Sequence, residues 1–348
     1  MIIDCHGHYT TAPHQLGDYR EAQLRAFDGG PTPVGDPVVL RISDDDLRAS
    51  VEPHQLRLQR ERGIDLTLFS PRASWMGHHL GDAETSRAWT EHCNDLVRRV
   101  CDLHPGKFAP VCQLPQTAAD PSTSVRNSVA ELRRCVDEMG FVGCNFNPDP
   151  SGGMWNGPTL HDRIFWPLYE AMCELDVPAM IHVSATCNPH FHSTGSHYLG
   201  ADTTAFVQAL TSGLFRDFPD MRWVIPHGGG AVPYHWGRFE GMALENGWQT
   251  VDELMANVFF DTCVYHQPGI DLLVEVVPIE NVLFASEMVG AVKGMNPATG
   301  EFYDDTKRYI DRADLSAVQR AMIYESNARR VYPRLASYLP DPSPEVVS

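Results

Sequence analysis

Two histidines near the start of the chain, in Asp4-Cys5-His6-Gly7-His8, stand two residues apart. In a strand such residues share a face. Two imidazoles on one face are good ligands for zinc or another divalent metal. Alone the pair is a weak signal, because surface and core histidines produce it too. Three further groups follow short apolar runs. His182 lies in Met180-Ile181-His182-Val183, His227 in Pro226-His227-Gly228-Gly229-Gly230, and Glu287 at the end of Phe284-Ala285-Ser286-Glu287. His6, His8 and His182 are three neutral ligands. With a carboxylate or water in the remaining position they make an open, catalytic-type zinc site. Glu287 can ligate the metal, deprotonate a water, or both; its ordinary alternative is a strand-end carboxylate in a surface ion pair. His227 is the other acid–base candidate, since its glycines allow close approach of a ligand. Its alternative is a structural histidine at a tight turn. Asp4 shares the histidine face, where it either orients a ligand or makes a buried structural hydrogen bond. Cys5, between them, is expected to face away from the metal, towards surrounding helices.

These groups need a scaffold that gathers them. Eight short β-rich runs are predicted as strands, at residues 1–4, 64–69, 108–113, 141–146, 179–183, 222–225, 258–262 and 282–285. Several are apolar throughout, as in a parallel sheet buried on both faces. Helical patterns fall between and after them, at 53–62, 85–103, 122–139, 164–175, 204–215, 234–244, 270–276 and 315–324. Alternation of this kind predicts an α/β protein with a closed (β/α)8 TIM barrel. An open doubly wound sheet would favour a glycine-rich phosphate loop after the first strand, and none is present. The five candidate groups then fall at the C-terminal ends of four strands, where barrel active sites are built. Long loops at 9–44, 147–162 and 188–202 follow strand ends on the same side. One catalytic domain is expected over residues 1–338, with a Pro- and Ser-rich flexible tail at 339–348.

Composition narrows the function. The 348 residues are 43% hydrophobic and 21% charged, ordinary for a globular protein. There are 27 Lys and Arg against 45 Asp and Glu, a net charge of −18. So acidic a chain repels a phosphate backbone, and no nucleic-acid partner is expected. No run of ~20 apolar residues exists to cross a membrane. The N-terminus lacks the pattern of a signal peptide. Nine scattered cysteines without a C-x-x-C pair read as reduced thiols of a cytoplasmic enzyme.

The ordered set His6, His8, His182, His227 and Glu287 resembles the amidohydrolase superfamily, in the branch containing aminocarboxymuconate-semialdehyde decarboxylase. Gly228-Gly229-Gly230 and Asn327-Ala328-Arg329-Arg330 also resemble that branch. The resemblance spans roughly residues 1–335 and implies a metal-dependent barrel. Binuclear members carry a bridging Lys or Glu after the fourth strand. Here Asn145-Phe146-Asn147 stands there, which implies one divalent metal ion, with zinc expected. Most relatives have Asp after the eighth strand. Glu287, one methylene longer, is most similar to the 4-oxalomesaconate hydratases of protocatechuate 4,5-cleavage. The resemblance thus implies a hydro-lyase that adds water to the C=C bond of a small anionic tricarboxylate. Glu287 would be the base, and His227 or Tyr198 the proton donor. A non-oxidative decarboxylase of an aromatic or muconate-type acid is the nearest alternative; a non-catalytic metal-binding barrel is a second.

A tricarboxylate needs cationic partners. Arg72, after the second strand, is the leading one, followed by Arg238 and Lys293. Ser184 and Asn188 are expected as substrate hydrogen-bond donors. The insertion carrying His190, His192, His197 and Tyr198 reads as a polar lid over the substrate rather than a second metal site. Relatives imply a homodimer.

Overall fold

The computed structural model describes residues 1–30 and 41–339. Its eight strands are β1 (Ile3–Tyr9), β2 (Leu66–Pro71), β3 (Phe108–Gln113), β4 (Gly143–Phe146), β5 (Ala179–Ile181), β6 (Trp223–Ile225), β7 (Val258–Asp261) and β8 (Val282–Leu283). They lie side by side in chain order, each parallel to the next. The ring is completed where the chain after β8 meets β1. Cys5 N–H donates to Phe284 O at 2.8 Å, and Glu287 N–H donates to His6 O at 2.9 Å. The (β/α)8 barrel expected from the alternating pattern is the observed fold.

Helices wrap the outside. The longest, Ala83–Leu103, starts where the Asp82 side chain accepts the Thr85 N–H, and it buries Trp89, Cys93, Leu96, Val97 and Val100. That spacing of three or four residues is the one-faced helical stripe. Inside the barrel, Ile3, Leu66, Leu68, Ala109, Val111, Met180, Val224, Phe259 and Leu283 fill the lower layers. Ala328, Val331, Tyr332 and Leu335 close the floor. Truncating Leu335 to Ala would cost roughly 2–5 kcal/mol, so the floor is a packed base for the mouth.

Strand β1 carries the feature that matters most for the site. Its pairing with β2 runs Asp4↔Thr67 and then Gly7↔Phe69, so three steps on β1 match two on β2. This β-bulge inserts one residue and resets the alternation. Cys5 therefore joins the barrel-interior cluster with Ile3 and Leu66, against the expectation that it would face the helices. His6 and His8 still turn together into the mouth. Gly7 between them lies flat on β2; a Cβ there would come within 2.4 Å of Thr67 Cγ2 and 2.8 Å of Leu68 O.

Other elements shift at their ends. The helix after β5 is Tyr198–Ser212, six residues earlier than the pattern at 204 suggests. Gly200 and Asp202 weaken the helical signature of its first turn, and tertiary contacts described below override that. The first long loop contains the helix His14–Phe27, and residues 31–40 of it lie outside the described residues. At the C-terminus, the pattern at 315–324 resolves into Ala317–Ala321 and a wider turn at Met322–Ser326. Leu339 is buried beside the floor; the rest of the expected tail, residues 340–348, lies outside the described residues.

Candidate active site

The bulged strand β1 delivers His6 and His8, and the end of β5 delivers His182. All three are buried. Each ring is fixed by its Nδ1. His6 Nδ1–H donates to Asp261 Oδ2 at 2.7 Å, and His182 Nδ1–H donates to Val183 O at 2.7 Å. His8 Nδ1 pairs with Ser70 Oγ at 2.7 Å. With the Nδ1 positions occupied, the Nε2 atoms converge, at 3.0 Å between His6 and His8 and 3.4 Å between His8 and His182. Burial pushes the His8 and His182 imidazoles well below the usual range, and the neighbouring histidines add to it, so they are neutral. Nε2 lone pairs at these distances repel one another unless a cation lies among them.

Glu287 completes the set. One ligand atom each from His6, His8, His182 and Glu287 lies within 4.8 Å of the others. Three imidazoles and a carboxylate suit one divalent metal. Glu287 follows β8 with φ 50°, and His227 follows β6 with φ 53°. Both are in the left-handed region, which costs a non-glycine residue about 1–3 kcal/mol and is commonest at functional sites. Tyr265 O–H donates to Glu287 Oε2 at 2.6 Å. Gly290 leaves room for this carboxylate, since a Cβ there would meet Glu287 Cγ at 2.7 Å and Cδ at 2.9 Å.

His227 sits beside the histidine cluster, its ring centroid 5.4 Å from His6, 5.2 Å from His182 and 5.6 Å from Tyr198. Its Nδ1–H donates to Asp202 Oδ2 at 2.9 Å, while its buried Nε2 has no hydrogen-bond partner among the described residues. Burial alone would lower the imidazolium pKa, but the Asp202 carboxylate overrides it and raises it to about 9. Burial likewise raises Asp202 to about 6. Three buried carboxylates, Asp202, Asp261 and Glu287, can balance a divalent cation plus a protonated His227. Asp4 does something else. Its carboxylate accepts Ser286 Oγ–H at 2.5 Å and Ser286 N–H at 3.0 Å, tying β1 to the chain before Glu287. Of its two expected roles, the structural hydrogen bond is the one present.

Beside His8 and Glu287 lies a cavity of ≈ 150 Å³. Arg72, Tyr198, Glu287 and Lys293 line it, together with His8, Thr10, Ser74 and Thr194. Arg72 is held by its Nε–H to Ser74 Oγ at 2.8 Å and by stacking 4.7 Å over the Trp75 ring. Among the described residues, neither Arg72 nor Lys293 forms a salt bridge with a carboxylate. The remaining sequence candidates stand elsewhere. Arg238 is exposed on the helix Trp236–Asn246 and is not among the lining residues. Asn188 is spent on the loops, its Nδ2–H₂ donating to Gly153 O at 2.9 Å and its Oδ1 accepting the His190 N–H at 3.0 Å. Ser184 Oγ accepts from Asn147 Nδ2 at 3.3 Å. His190 and His192 are exposed, and neither joins a metal-ligating group among the described residues.

Sequence reasoning missed Asp261, Tyr265 and Asp202. Asp261 ends Val258-Phe259-Phe260-Asp261 at a strand terminus like the histidines, so the signal was available. Tyr265 lies in a loop without a pattern. Asp202 becomes visible once the helix is seen to start at Tyr198, because Tyr198 and Asp202 are four apart and share a helical face.

Comparison with known proteins agrees with this geometry. The amidohydrolase family model matches residues 3–334. The chain is 56% identical over 340 residues to 2-keto-4-carboxy-3-hexenedioate hydratase from Sphingobium sp., covering 97% of this chain and 98% of the relative. The crystal structure of 4-oxalomesaconate hydratase from Rhodopseudomonas palustris superposes with a TM-score of 0.89 at 53% identity, covering 97% of each chain. A gamma-resorcylate decarboxylase from Polaromonas sp. is more distant, 24% identical over 81% of this chain and 87% of its own. The chain therefore belongs to the amidohydrolase family, within the group of the 2-keto-4-carboxy-3-hexenedioate hydratases.

Proposed function

We propose that this chain adds water to the C=C bond of 2-keto-4-carboxy-3-hexenedioate, the keto form of 4-oxalomesaconate, giving 4-carboxy-4-hydroxy-2-oxoadipate. The observation that carries this reading is one cavity wall. It sets two cations, Arg72 and Lys293, which have no carboxylate partner among the described residues, beside Glu287 and His8. A trianionic substrate supplies the missing carboxylates. In a chain of net charge −18, local cations are needed to hold such a ligand against the general field.

His6, His8, His182 and Glu287 would hold the metal, and we propose zinc. Bound there, it supplies a Lewis acid that makes water acidic near neutral pH and polarises substrate oxygens. The other steps belong to the chain. Arg72 and Lys293 grip carboxylates and align the double bond. Glu287 takes a proton from the attacking water, and the new C–O bond forms at the alkene carbon β to the ketone. The alkene electrons move onto the ketone oxygen. His227, charged through Asp202, returns a proton to the α carbon and restores the ketone. Tyr198, whose O–H burial holds above its usual range, stays protonated and donates a hydrogen bond to the substrate. The nine cysteines are free, which supports a reducing, cytoplasmic setting. The homodimer implied by the resemblance is part of this proposal. No helix among the described residues is long and apolar enough to cross a membrane.

The test follows the enone. Metal-loaded protein should bleach the conjugated ketone absorbance of 4-oxalomesaconate, and chelator-stripped protein should not until zinc is restored. Equal rates with and without metal would refute the reading.

A further inference from the structure

We infer that Asp202, from the helix Tyr198–Ser212, is a positioning residue that makes His227 a proton donor through its Nε2. This rests on the proposed role of His227 and assigns a role to a residue outside the ligand set.

The helix Tyr198–Ser212 is buried along the face carrying Tyr198, Ala201, Asp202 and Ala205. That face meets the turn after β6, and the turn is shaped to receive it. Gly230 has φ 62°, and a Cβ on it would lie 2.4 Å from Leu199 O and 3.2 Å from Asp202 Cβ. Glycine therefore lets the turn lie directly on the first turn of the helix, next to Asp202. Gly229 packs the same turn against β7, where a Cβ would come within 2.3 Å of Phe260 Cε1. The triple glycine thus seats His227 against Asp202 on one side and the barrel on the other.

The pair so formed has a defined polarity. A carboxylate can only accept, so the 2.9 Å contact fixes the proton on His227 Nδ1. A proton delivered by His227 must then leave from Nε2, the buried nitrogen without a partner among the described residues. Asp202 is itself 1% exposed, and its Oδ1 has no partner among the described residues. A buried carboxylate with one oxygen unsatisfied is costly, which is uneconomical for a residue that merely caps or packs a helix. The logic is that of a base oriented by a third group. During turnover the Nε2–H bond breaks as the C–H bond at the α carbon forms. Asp202 keeps its hydrogen bond to Nδ1 throughout and so holds Nε2 towards the substrate.

The test uses zinc-loaded full-length protein, with 4-oxalomesaconate as substrate. Asp202→Asn should lower kcat by ~10²-fold, the usual scale of a lost general acid, with KM and zinc content unchanged. His227→Asn should lower kcat at least as much. The double variant should be no slower than His227→Asn alone. The solvent isotope effect on kcat should rise in Asp202→Asn, because proton delivery becomes the slow step; a packing role would not move it. Nitrogen NMR of histidine-labelled wild-type protein should show Nδ1 of His227 protonated, a readout that does not depend on any variant folding. Unchanged kcat in Asp202→Asn, full additivity in the double variant, or an unprotonated Nδ1 would overturn the inference. Full turnover by His227→Asn would instead overturn the proposed donor itself.

Discussion

Replacing Asp261 by Asn tests how the histidine cluster is held. Asp261 Oδ2 accepts the His6 Nδ1–H at 2.7 Å, while Oδ1 accepts the N–H groups of Gly228 at 3.1 Å and Cys263 at 3.0 Å. Burial raises the pKa of this carboxyl, but the hydrogen bond from His6 leads the effects that outweigh it and hold the group below the usual range. In Asp261→Asn the side-chain oxygen stays with the two backbone donors, since orphaning them costs about 1–3 kcal/mol each. The amide nitrogen then faces His6 Nδ1. That nitrogen must accept, so the proton moves to Nε2 and the lone pair aimed at the metal is lost. Restoring the ligand tautomer costs a charge-assisted hydrogen bond, about 1.5–3 kcal/mol. This agrees with the ~10–100-fold loss in metal affinity typical when the partner of a ligand histidine is removed. The assay is competition of zinc-loaded protein against a chelating indicator at fixed pH. Thermal unfolding of the stripped protein should move little, because Asn keeps the fold's two backbone contacts. Wild-type zinc affinity in Asp261→Asn would refute the reasoning.

Glu287→Gln should retain a metal-sized cluster yet lose roughly 10²–10⁴-fold in kcat, the range for a general base; retained turnover measured on zinc-replete protein sinks the base assignment. Arg72→Ala should raise KM for 4-oxalomesaconate by about 10–100-fold, since a charge-assisted contact contributes about 1.5–3 kcal/mol, and an unchanged KM would remove Arg72 from the substrate contacts. His78 predicts a pH effect on stability. Burial lowers its pKa from 6.5 to about 3, and its neutral ring accepts from Asn147 Nδ2 at 2.8 Å and donates to Leu114 O at 3.1 Å. The unfolded chain binds the extra proton first, so this stability is present above pH 6.5 and is lost as pH falls towards 3. The loss should reach about 2 kcal/mol by roughly pH 5. Urea unfolding of His78→Gln should show a correspondingly flatter pH dependence, and an identical slope would contradict the assignment.

The barrel was legible because apolar β-rich runs and helical stripes are local signals. Seven strands fall largely where those runs lie, while β1 begins in its run at Ile3 and continues to Tyr9, past the expected end at residue 4; the candidate histidines stand at strand ends where a barrel gathers side chains. What stayed hidden depended on register and tertiary contact. The bulge in β1 is invisible in Asp4-Cys5-His6-Gly7-His8, because an extra residue shows only against the partner strand; hence Cys5 faces inward. Asp202 lies in a helical turn with weak propensity that the β6 turn stabilises from outside. Arg238 looked useful by its nearness to His227 in sequence, yet helical geometry carries it to an exposed face. Asn188 follows β5 closely, but the loop it joins consumes its hydrogen bonds; Ser184 accepts one from Asn147 and keeps its own O–H. Tyr265 reaches Glu287 from the loop after β7, a contact that the parallel pairing of β7 with β8 creates.

The central claim is hydration at this metal centre. Zinc-loaded protein should be incubated with 4-oxalomesaconate in water labelled with heavy oxygen, and product mass and released carbon dioxide followed together. The account predicts a product heavier by one labelled water, with no carbon dioxide. Carbon dioxide release without gain of water would contradict it and assign the chain to the decarboxylase chemistry of its distant relatives.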